Sequence, residues 1–197
     1  MNILNALDIR LTKFIHSLFP HNQFFDYFFS FFSLRGNSIF IWAVIIFLVL
    51  LLEERKNPGI QKRDVAFMAI FLLCFSVSFI ISDLILKNLI KRPRPTYSNS
   101  LNITEAVEFR LAQCPKNYSF PSSHATTAFA AATVITAFDK KRRWFYYGVA
   151  ILISLSRIYL GCHYFFDVAF GAVTGLTISK IILLLHSIKL YSVSAKH

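Results

Sequence analysis

The sequence predicts an all-α membrane protein: a polytopic helix bundle with five transmembrane helices, preceded by amphipathic or interfacial helices. Hydrophobic residues make up 55% of the 197 residues, and phenylalanine alone occurs 22 times. Apolar runs that approach the length needed to cross a bilayer recur along the chain. Charged residues gather mainly between these runs, which is the distribution that membrane insertion favours.

The N-terminal segment, residues 1–36, is expected to lie at the membrane surface. Residues 3–19 place apolar and polar side chains at helical spacing, which predicts an amphipathic helix that ends before Pro20. Charges inside this stretch argue against a signal peptide. Residues 23–34 are rich in phenylalanine but are interrupted by polar residues, and they are too short to span alone. They are predicted to be interfacial or re-entrant.

Residues 37–190 are predicted to form the transmembrane domain. Its five spans are residues 37–52, 65–86, 122–138, 144–160 and 164–186. The third span is rich in alanine, and small residues let helices approach closely, so this span is placed inside the bundle. The fifth span carries Gly171 and Gly175 at GxxxG spacing, which indicates helix packing.

Basic residues in the loops orient the spans. The loops 53–64 and 139–143 are both rich in lysine and arginine and are predicted to face the cytoplasm. The loop 87–121 and the turn 160–163 then lie outside, although the loop is also basic. The formal net charge of +11 is assigned to these loops and to anionic lipid, and no nucleic-acid partner is predicted.

The three cysteines form no CxxC pair, so zinc ribbons and thioredoxin-like sites are unsupported. Cys74 lies in an apolar run and is predicted to be a core residue. Cys114 and Cys162 both fall in segments assigned to the outside. Two free thiols are the default interpretation. The alternative is a disulfide that ties the 87–121 loop to the start of the fifth span, which an oxidising outer compartment would permit.

Three short motifs of polar residues lie at the outer ends of predicted spans. They are Lys87-x6-Arg94-Pro95, Pro121-Ser122-Ser123-His124 and Ser156-Arg157-x5-His163-x3-Asp167. Charged groups in a membrane protein are costly and are kept mainly where they do chemistry. One shared site would also explain why the outer loop is basic.

The cations and the serines of these motifs suit a phosphate. Lys87, Arg94 and Arg157 supply fixed positive charge, which stabilises a phosphoryl group during its transfer. Ser122 and Ser123 stand at the start of the third span, where a helix offers unpaired N–H groups to an anion. These five residues are predicted to bind the phosphate.

The histidines suit nucleophilic and acid catalysis. His163 and Asp167 are four residues apart and share one helix face if the fifth span begins at the turn, so the carboxylate is able to orient the imidazole. His124 stands where it is able to protonate a departing oxygen. These three residues would also suit a metal, but the nearby cations repel a divalent ion, so no metal and no cofactor are predicted. Asp83 is either a site partner of Lys87 or a hydrogen-bonding group within the bundle.

The three motifs, in this order, resemble those of the type-2 phosphatidic acid phosphatase family, in the superfamily shared with vanadium haloperoxidases. The family pattern is K-x6-R-P, P-S-G-H and S-R-x5-H-x3-D, and this chain departs from it at Ser123, where glycine is usual. The resemblance covers roughly residues 65–185. It implies His163 as a nucleophile that forms a phosphohistidine, Asp167 as its orienting carboxylate and His124 as the general acid.

The sequence therefore predicts an integral membrane phosphatase that hydrolyses a lipid phosphomonoester or diphosphate and releases inorganic phosphate at the extracytoplasmic face. The expected location is the inner membrane of a bacterium, with the lipid bilayer and a membrane lipid phosphate as partners. The family suggests undecaprenyl diphosphate, phosphatidylglycerol phosphate, phosphatidic acid and lipid A phosphate, which the sequence does not rank. A membrane lipid transporter and a non-catalytic lipid-binding member of the fold are the alternatives, and the oligomeric state is left open.

Overall fold

The structure is a computed structural model that describes residues 3–55, 58–95 and 114–194. These residues form helices and connecting turns, with no strand among them. The N-terminal part holds α1 (Ile3–Ser17), α2 (Gln23–Ser33), α3 (Arg35–Glu54) and α4 (Lys62–Phe79), and α4 continues as a π-helix (Ile80–Leu86) into the short α5 (Lys87–Ile90). The C-terminal part holds α6 (Ser123–Phe138), a 3-10 turn (Lys140–Arg142), α7 (Arg143–Tyr159) and α8 (Phe165–Ser194).

Each predicted span has a helix at its position. Within the described residues, three stretches are long and apolar enough to cross a membrane: Gly36–Glu54, Lys62–Ile90 and Phe165–Ser187. Helices α6 and α7 have 16 and 17 residues and stand at the third and fourth predicted spans. They fall short of that length, so the fold shown is an all-helical bundle with three candidate spans.

Helix α6 lies in the interior of the bundle because its small side chains let other helices come close. Its five alanines from Ala125 to Ala132 are almost completely buried. A Cβ atom added to Gly171 would lie 2.7 Å from the carbonyl oxygen of Ser122, and one added to Gly175 would overlap the carbonyl oxygen of Thr126. The two glycines therefore let α8 pack directly on the backbone of α6, which brings the starts of both helices together.

The loop 53–64 reaches the end of α6, which directly precedes the loop 139–143 that was also predicted to face the cytoplasm. Arg63 Nη2 donates a hydrogen bond of 2.8 Å to the carbonyl oxygen of Phe138, and its guanidinium lies 4.3 Å from the centre of the Phe138 ring. The motifs lie at the opposite end, where α6 and α8 begin. Residues 56–57 and 96–113, which belong to the predicted loops, lie outside the described residues.

Helix α1 packs against the start of α8, at the end of the bundle that carries the motifs. Asp8 Oδ1 accepts the backbone N–H of Phe166 at 2.8 Å, and Thr12 Oγ1 accepts that of Phe165 at 2.9 Å. The first N–H groups of a helix have no partner within the helix, so these side chains cap α8. Both are almost completely buried. The expected amphipathic helix is therefore also a structural neighbour of α8.

Cys114 and Cys162 form a disulfide, with their Cα atoms 5.3 Å apart. The default interpretation of two free thiols was therefore wrong, and the alternative was right. The bond joins the segment that follows the 96–113 gap to the turn that precedes His163. Cys74 is free and fully buried, as its apolar surroundings predicted.

Candidate active site

The first motif begins where α4 becomes a π-helix. The backbone N–H of Lys87 donates to the carbonyl oxygen of Ser82, five residues earlier, and such wider turns recur at functional sites. The Lys87 ammonium forms an ion pair with Asp83, and both side chains are largely buried. Ser123 Oγ donates to the same carboxylate at 2.7 Å. Asp83 is thus a site partner of Lys87, and it joins the first motif to the second.

Arg94 is buried and reaches both the returning loop and the third motif. Its Nε donates to the carbonyl oxygen of Asn117 at 2.8 Å, and its Nη2 donates to the side-chain oxygen of Asn117 at 2.6 Å and to the carbonyl oxygen of Tyr118 at 3.1 Å. Its Nη1 donates to the carbonyl oxygen of Cys162 at 2.8 Å and lies 2.9 Å from Nε2 of His163.

The contact with Arg94 defines the protonation of His163. A guanidinium always donates, so Nε2 of His163 accepts and the ring proton belongs on Nδ1. The His163 side chain is only 1% exposed. Burial, followed by the positive charges of Arg94, Arg157 and Lys87, holds the pKa of His163 well below its ordinary value of 6.5. The imidazole is therefore neutral at neutral pH, with its Nε2 lone pair directed at a cation.

Asp167 lies on the other side of the imidazole. Its Oδ2 is 3.5 Å from Nδ1 of His163 and accepts the backbone N–H of Tyr164 at 2.8 Å. Its carbonyl oxygen accepts the N–H of Ser122 at 2.9 Å. The distance to His163 is longer than a hydrogen bond, and catalytic hydrogen bonds are often long before the substrate binds. Asp167 is thus fixed beside the ring and linked to the second motif.

The second motif forms the start of α6. Ser122 is the N-cap, and its side chain accepts the N–H of Ala125 at 3.5 Å. Ser123 and His124 follow in the first turn and line a cavity of about 70 Å³ together with Ser38, Ile39, Phe75, Phe79 and Thr127. The half-buried His124 therefore faces a cavity at the positive end of a helix, which suits an anion.

Arg157 is held by a residue that the sequence did not single out. Its Nη1 donates to the carbonyl oxygen of Ser33 at 3.1 Å and also contacts the Ser33 hydroxyl. Ser33 ends α2, so the second N-terminal helix reaches the third motif. The polar interruptions of the phenylalanine-rich segment were the available signal, but its pattern alone does not assign them partners.

Arg92 is the other residue that sequence reasoning missed. Its Nη1 donates to Asp167 Oδ1 at 2.7 Å and its Nη2 to Asp8 Oδ2 at 2.6 Å, while its guanidinium lies 4.0 Å from the centre of the Tyr164 ring. The basic outer loop was a signal that could have found it. Asp8 had appeared only as a charge in an amphipathic helix, since its partner lies 84 residues away.

The predicted site residues thus lie together at one end of the bundle. The neutral imidazole of His163 has cations around it, and the carboxylate of Asp167 lies on the other side of the ring. Such an arrangement is able to accept a phosphoryl group on nitrogen while cations balance the oxygen charges. Among the described residues, no group of three or more histidine, cysteine, aspartate or glutamate side chains is arranged to hold a metal ion.

Comparisons with known proteins agree on one family. The sequence model of the PAP2 superfamily matches residues 68–190. A lipid A 4'-phosphatase of Bacteroides thetaiotaomicron is 28% identical over 180 residues, which cover 89% of this chain and 75% of that protein. An undecaprenyl-diphosphatase of Sulfolobus acidocaldarius is 27% identical over 142 residues, which cover 71% of this chain and 61% of that protein.

A solved structure supports the fold. The crystal structure of a transmembrane PAP2-type phosphatidylglycerolphosphate phosphatase from Bacillus subtilis superposes with a TM-score of 0.62. The superposition covers 95% of this chain and 88% of that one, at 20% sequence identity. At this identity the likeness concerns the helical architecture.

Proposed function

The chain belongs to the PAP2 superfamily, and on this premise we propose that it is an integral membrane enzyme that hydrolyses a lipid phosphomonoester or diphosphate through a phosphohistidine. The observation that carries the proposal is the contact of Arg94 with His163, 2.9 Å from Nη1 to Nε2, with Asp167 on the other side of the ring. It unites a cation, a nucleophile and an orienting carboxylate from two separate motifs.

The proposed reaction has two steps. In the first, Nε2 of His163 attacks phosphorus, the bond from phosphorus to the lipid oxygen breaks, and His124 gives that oxygen a proton. In the second, a water attacks the phosphohistidine and gives a proton to His124, the N–P bond breaks, and inorganic phosphate leaves. Asp167 keeps the proton of His163 on Nδ1 throughout, so that Nε2 is the nitrogen that reacts.

The phosphate-binding residues have separate tasks in this scheme. When His163 attacks, Arg94 moves its hydrogen bond from Nε2 to a phosphoryl oxygen. The single lone pair of Nε2 cannot accept from the guanidinium and bond to phosphorus at the same time. Lys87 and Arg157 add fixed charge, and Ser122 and Ser123 contribute the start of α6. The hydroxyl of Ser123 holds Asp83, which supports the view that serine substitutes for the usual glycine without loss of the site.

We further propose that α3, α4 with its extension, α6, α7 and α8 all cross a bacterial inner membrane, with the site facing the periplasm or exterior. The basic loops at the opposite end support this orientation. Single-cysteine variants test it, because the native cysteines are either bonded or buried. A thiol at exposed Gln23 should react with an impermeant reagent from outside, and one at Ile60 from inside. Labelling of both from one side would contradict the proposal.

An apolar groove supports a substrate that keeps its tail in the bilayer. A cavity of about 430 Å³ runs between α3 and α4 and is lined by apolar side chains such as Trp42, Ile46 and Phe71. It shares Ile39 and Phe75 with the cavity that His124 faces. A lipid tail in this groove would therefore lead directly to a phosphate beside His124.

The deciding experiment measures phosphate release by purified protein from four lipid classes in detergent, with a chelator present. The classes are undecaprenyl diphosphate, phosphatidylglycerol phosphate, phosphatidic acid and lipid A phosphate. The relatives named above support lipid A phosphate and undecaprenyl diphosphate as the first to be tried. We expect release from at least one class and none from the His163→Ala variant. Transport of an intact lipid without release, or release that requires added metal, would contradict the proposal.

A further inference from the structure

We propose that Asp8 and Arg92 are positioning residues of the active site, through which helix α1 holds the catalytic carboxylate Asp167 in place. The inference rests on the proposed function, because it assigns their effect to the step in which His163 attacks. It concerns one residue of the N-terminal helix and one of the loop after α5, which stands at a variable position within the first motif.

A single guanidinium joins the two carboxylates. Arg92 directs Nη1 to Asp167 Oδ1 at 2.7 Å and Nη2 to Asp8 Oδ2 at 2.6 Å. The carboxylate side chains are 0% and 1% exposed, whereas that of Arg92 is 20% exposed. Two buried carboxylates without a shared cation would repel each other at high cost, so the Arg92 guanidinium stabilises their charged forms in this place.

Arg92 is itself held rigidly. Its guanidinium lies 4.0 Å from the centre of the Tyr164 ring, and its carbonyl oxygen accepts the N–H of Ser119 at 2.8 Å. The planar guanidinium of arginine is able to stack on a ring and donate to two separate oxygens at once. Lysine offers only a single flexible ammonium. The orientation of Asp167 Oδ1 is therefore determined by Arg92, while its Oδ2 faces His163.

Asp8 makes two contacts, one through each oxygen of its carboxylate. Its Oδ1 accepts the N–H of Phe166 and so caps α8, and its Oδ2 receives Arg92. Asparagine in its place would retain an oxygen for the cap but would lose the charge that Arg92 requires. Asp8→Asn thus tests the ion pair, and it leaves the attachment of α1 to α8 largely intact.

Thr12 offers a matched control on the same helix, one turn further on. Its hydroxyl caps the same end of α8, by accepting the N–H of Phe165 at 2.9 Å, and it is fully buried. It has no hydrogen bond or ion pair to Arg92 or Asp167 among the interactions of the described residues. Thr12→Val therefore weakens the docking of α1 without removing the charge network.

The test compares kcat and KM for these variants with the lipid that the wild-type protein hydrolyses. We expect Arg92→Gln to lower kcat by about 10–100-fold with KM changed by less than about threefold, and Asp8→Asn to lower kcat by a smaller factor. Arg92→Lys should recover part of the loss. Thr12→Val should lower the thermal unfolding temperature and leave kcat within about twofold of wild type.

A double-mutant cycle shows whether Arg92 acts through Asp167. If it does, Arg92→Gln should cause almost no further loss of kcat in the Asp167→Asn background, because the carboxylate that it positions is already gone. Full additivity of the two losses, or a kcat loss in Thr12→Val equal to that in Arg92→Gln, would overturn the inference. Failure of the proposed function looks different, because wild-type protein would then release no phosphate.

Discussion

Arg94 Nη1 lies 2.9 Å from His163 Nε2, so a guanidinium donor points at the nitrogen that is expected to react. The contact keeps the proton of His163 on Nδ1, where Asp167 Oδ2 is 3.5 Å away. It also places the guanidinium next to the phosphorus atom that Nε2 would attack. One arginine thus selects the tautomer before the reaction and neutralises oxygen charge during it.

Removal of the nucleophile should stop the reaction. We expect His163→Ala to abolish both turnover and acid-labile phosphoenzyme, because the variant lacks the imidazole nitrogen that would accept the phosphoryl group. Asp167→Asn should retain the nucleophile and lose about 10²–10⁴-fold in kcat. Rapid quenching with labelled substrate measures both. A normal amount of phosphoenzyme in His163→Ala would eliminate His163 as the nucleophile.

Removal of the general acid should depend on the leaving group. His124→Ala is expected to lower kcat by about 10²–10⁴-fold for a phosphomonoester, whose alkoxide leaves poorly without a proton. In a lipid diphosphate the leaving group is the lipid monophosphate, which departs more easily than an alkoxide, so the variant should lose less kcat on this substrate. Steady-state rates on both substrate types provide the comparison. Equal losses on the two would contradict the assignment of His124.

The low pKa of His163 should appear in the stability of the protein. In the unfolded chain this residue binds a proton with an ordinary pKa of 6.5, whereas burial and the nearby cations hold the pKa of the native residue well below that value. The unfolded state therefore binds more protons as the pH falls from 7.5 to 5.5, and native stability decreases. Thermal unfolding at both pH values should show a smaller decrease in His163→Gln, and an unchanged pH dependence in that variant would be evidence against the low pKa.

The close contact between α6 and α8 should not tolerate a side chain at Gly175. Gly175→Val would place atoms into the carbonyl group of Thr126, so we expect it to destabilise the protein by about 1–3 kcal/mol and to reduce activity. Gly148→Ala in α7 is the matched control, since an added Cβ there would have no described atom outside its own helix within 4 Å. Unfolding temperatures in detergent compare the two. Equal stability of both variants would refute the close approach.

The disulfide should matter for stability and activity together. Cys114 and Cys162 are 48 residues apart in sequence, so their loss is expected to cost about 2–5 kcal/mol. Activity should fall as well, because the segment after Cys114 supplies the oxygens that hold Arg94. Both quantities are measured with and without reductant, and the double serine variant is the control that reductant should not affect. A wild-type protein indifferent to reductant would show that the bond has no such role.

The sequence predicted the positions of the helices because apolar length and loop charge act locally. The motifs were also readable, since His163 and Asp167 need only helical spacing to become neighbours. The partnership of Arg92 with Asp8 was not readable, because it depends on how α1 docks on α8, and no local pattern encodes that docking. The choice between the two roles of Asp83 was undecided for the same reason, because its hydrogen bond with Ser123 spans 40 residues and two helices.

A hydrogen bond at the start of α8 joins Phe166 to Asp8, which lies 158 residues earlier in the chain. During biosynthesis, α1 therefore emerges long before the helix that it caps, and Asp167 is made after every other residue of the three motifs. A partly synthesised chain carries the cations of the phosphate site, together with Asp8 and Arg92, but it lacks the Asp167 carboxylate that these two residues hold. We therefore expect chains that end before α8 to release no phosphate from a lipid substrate.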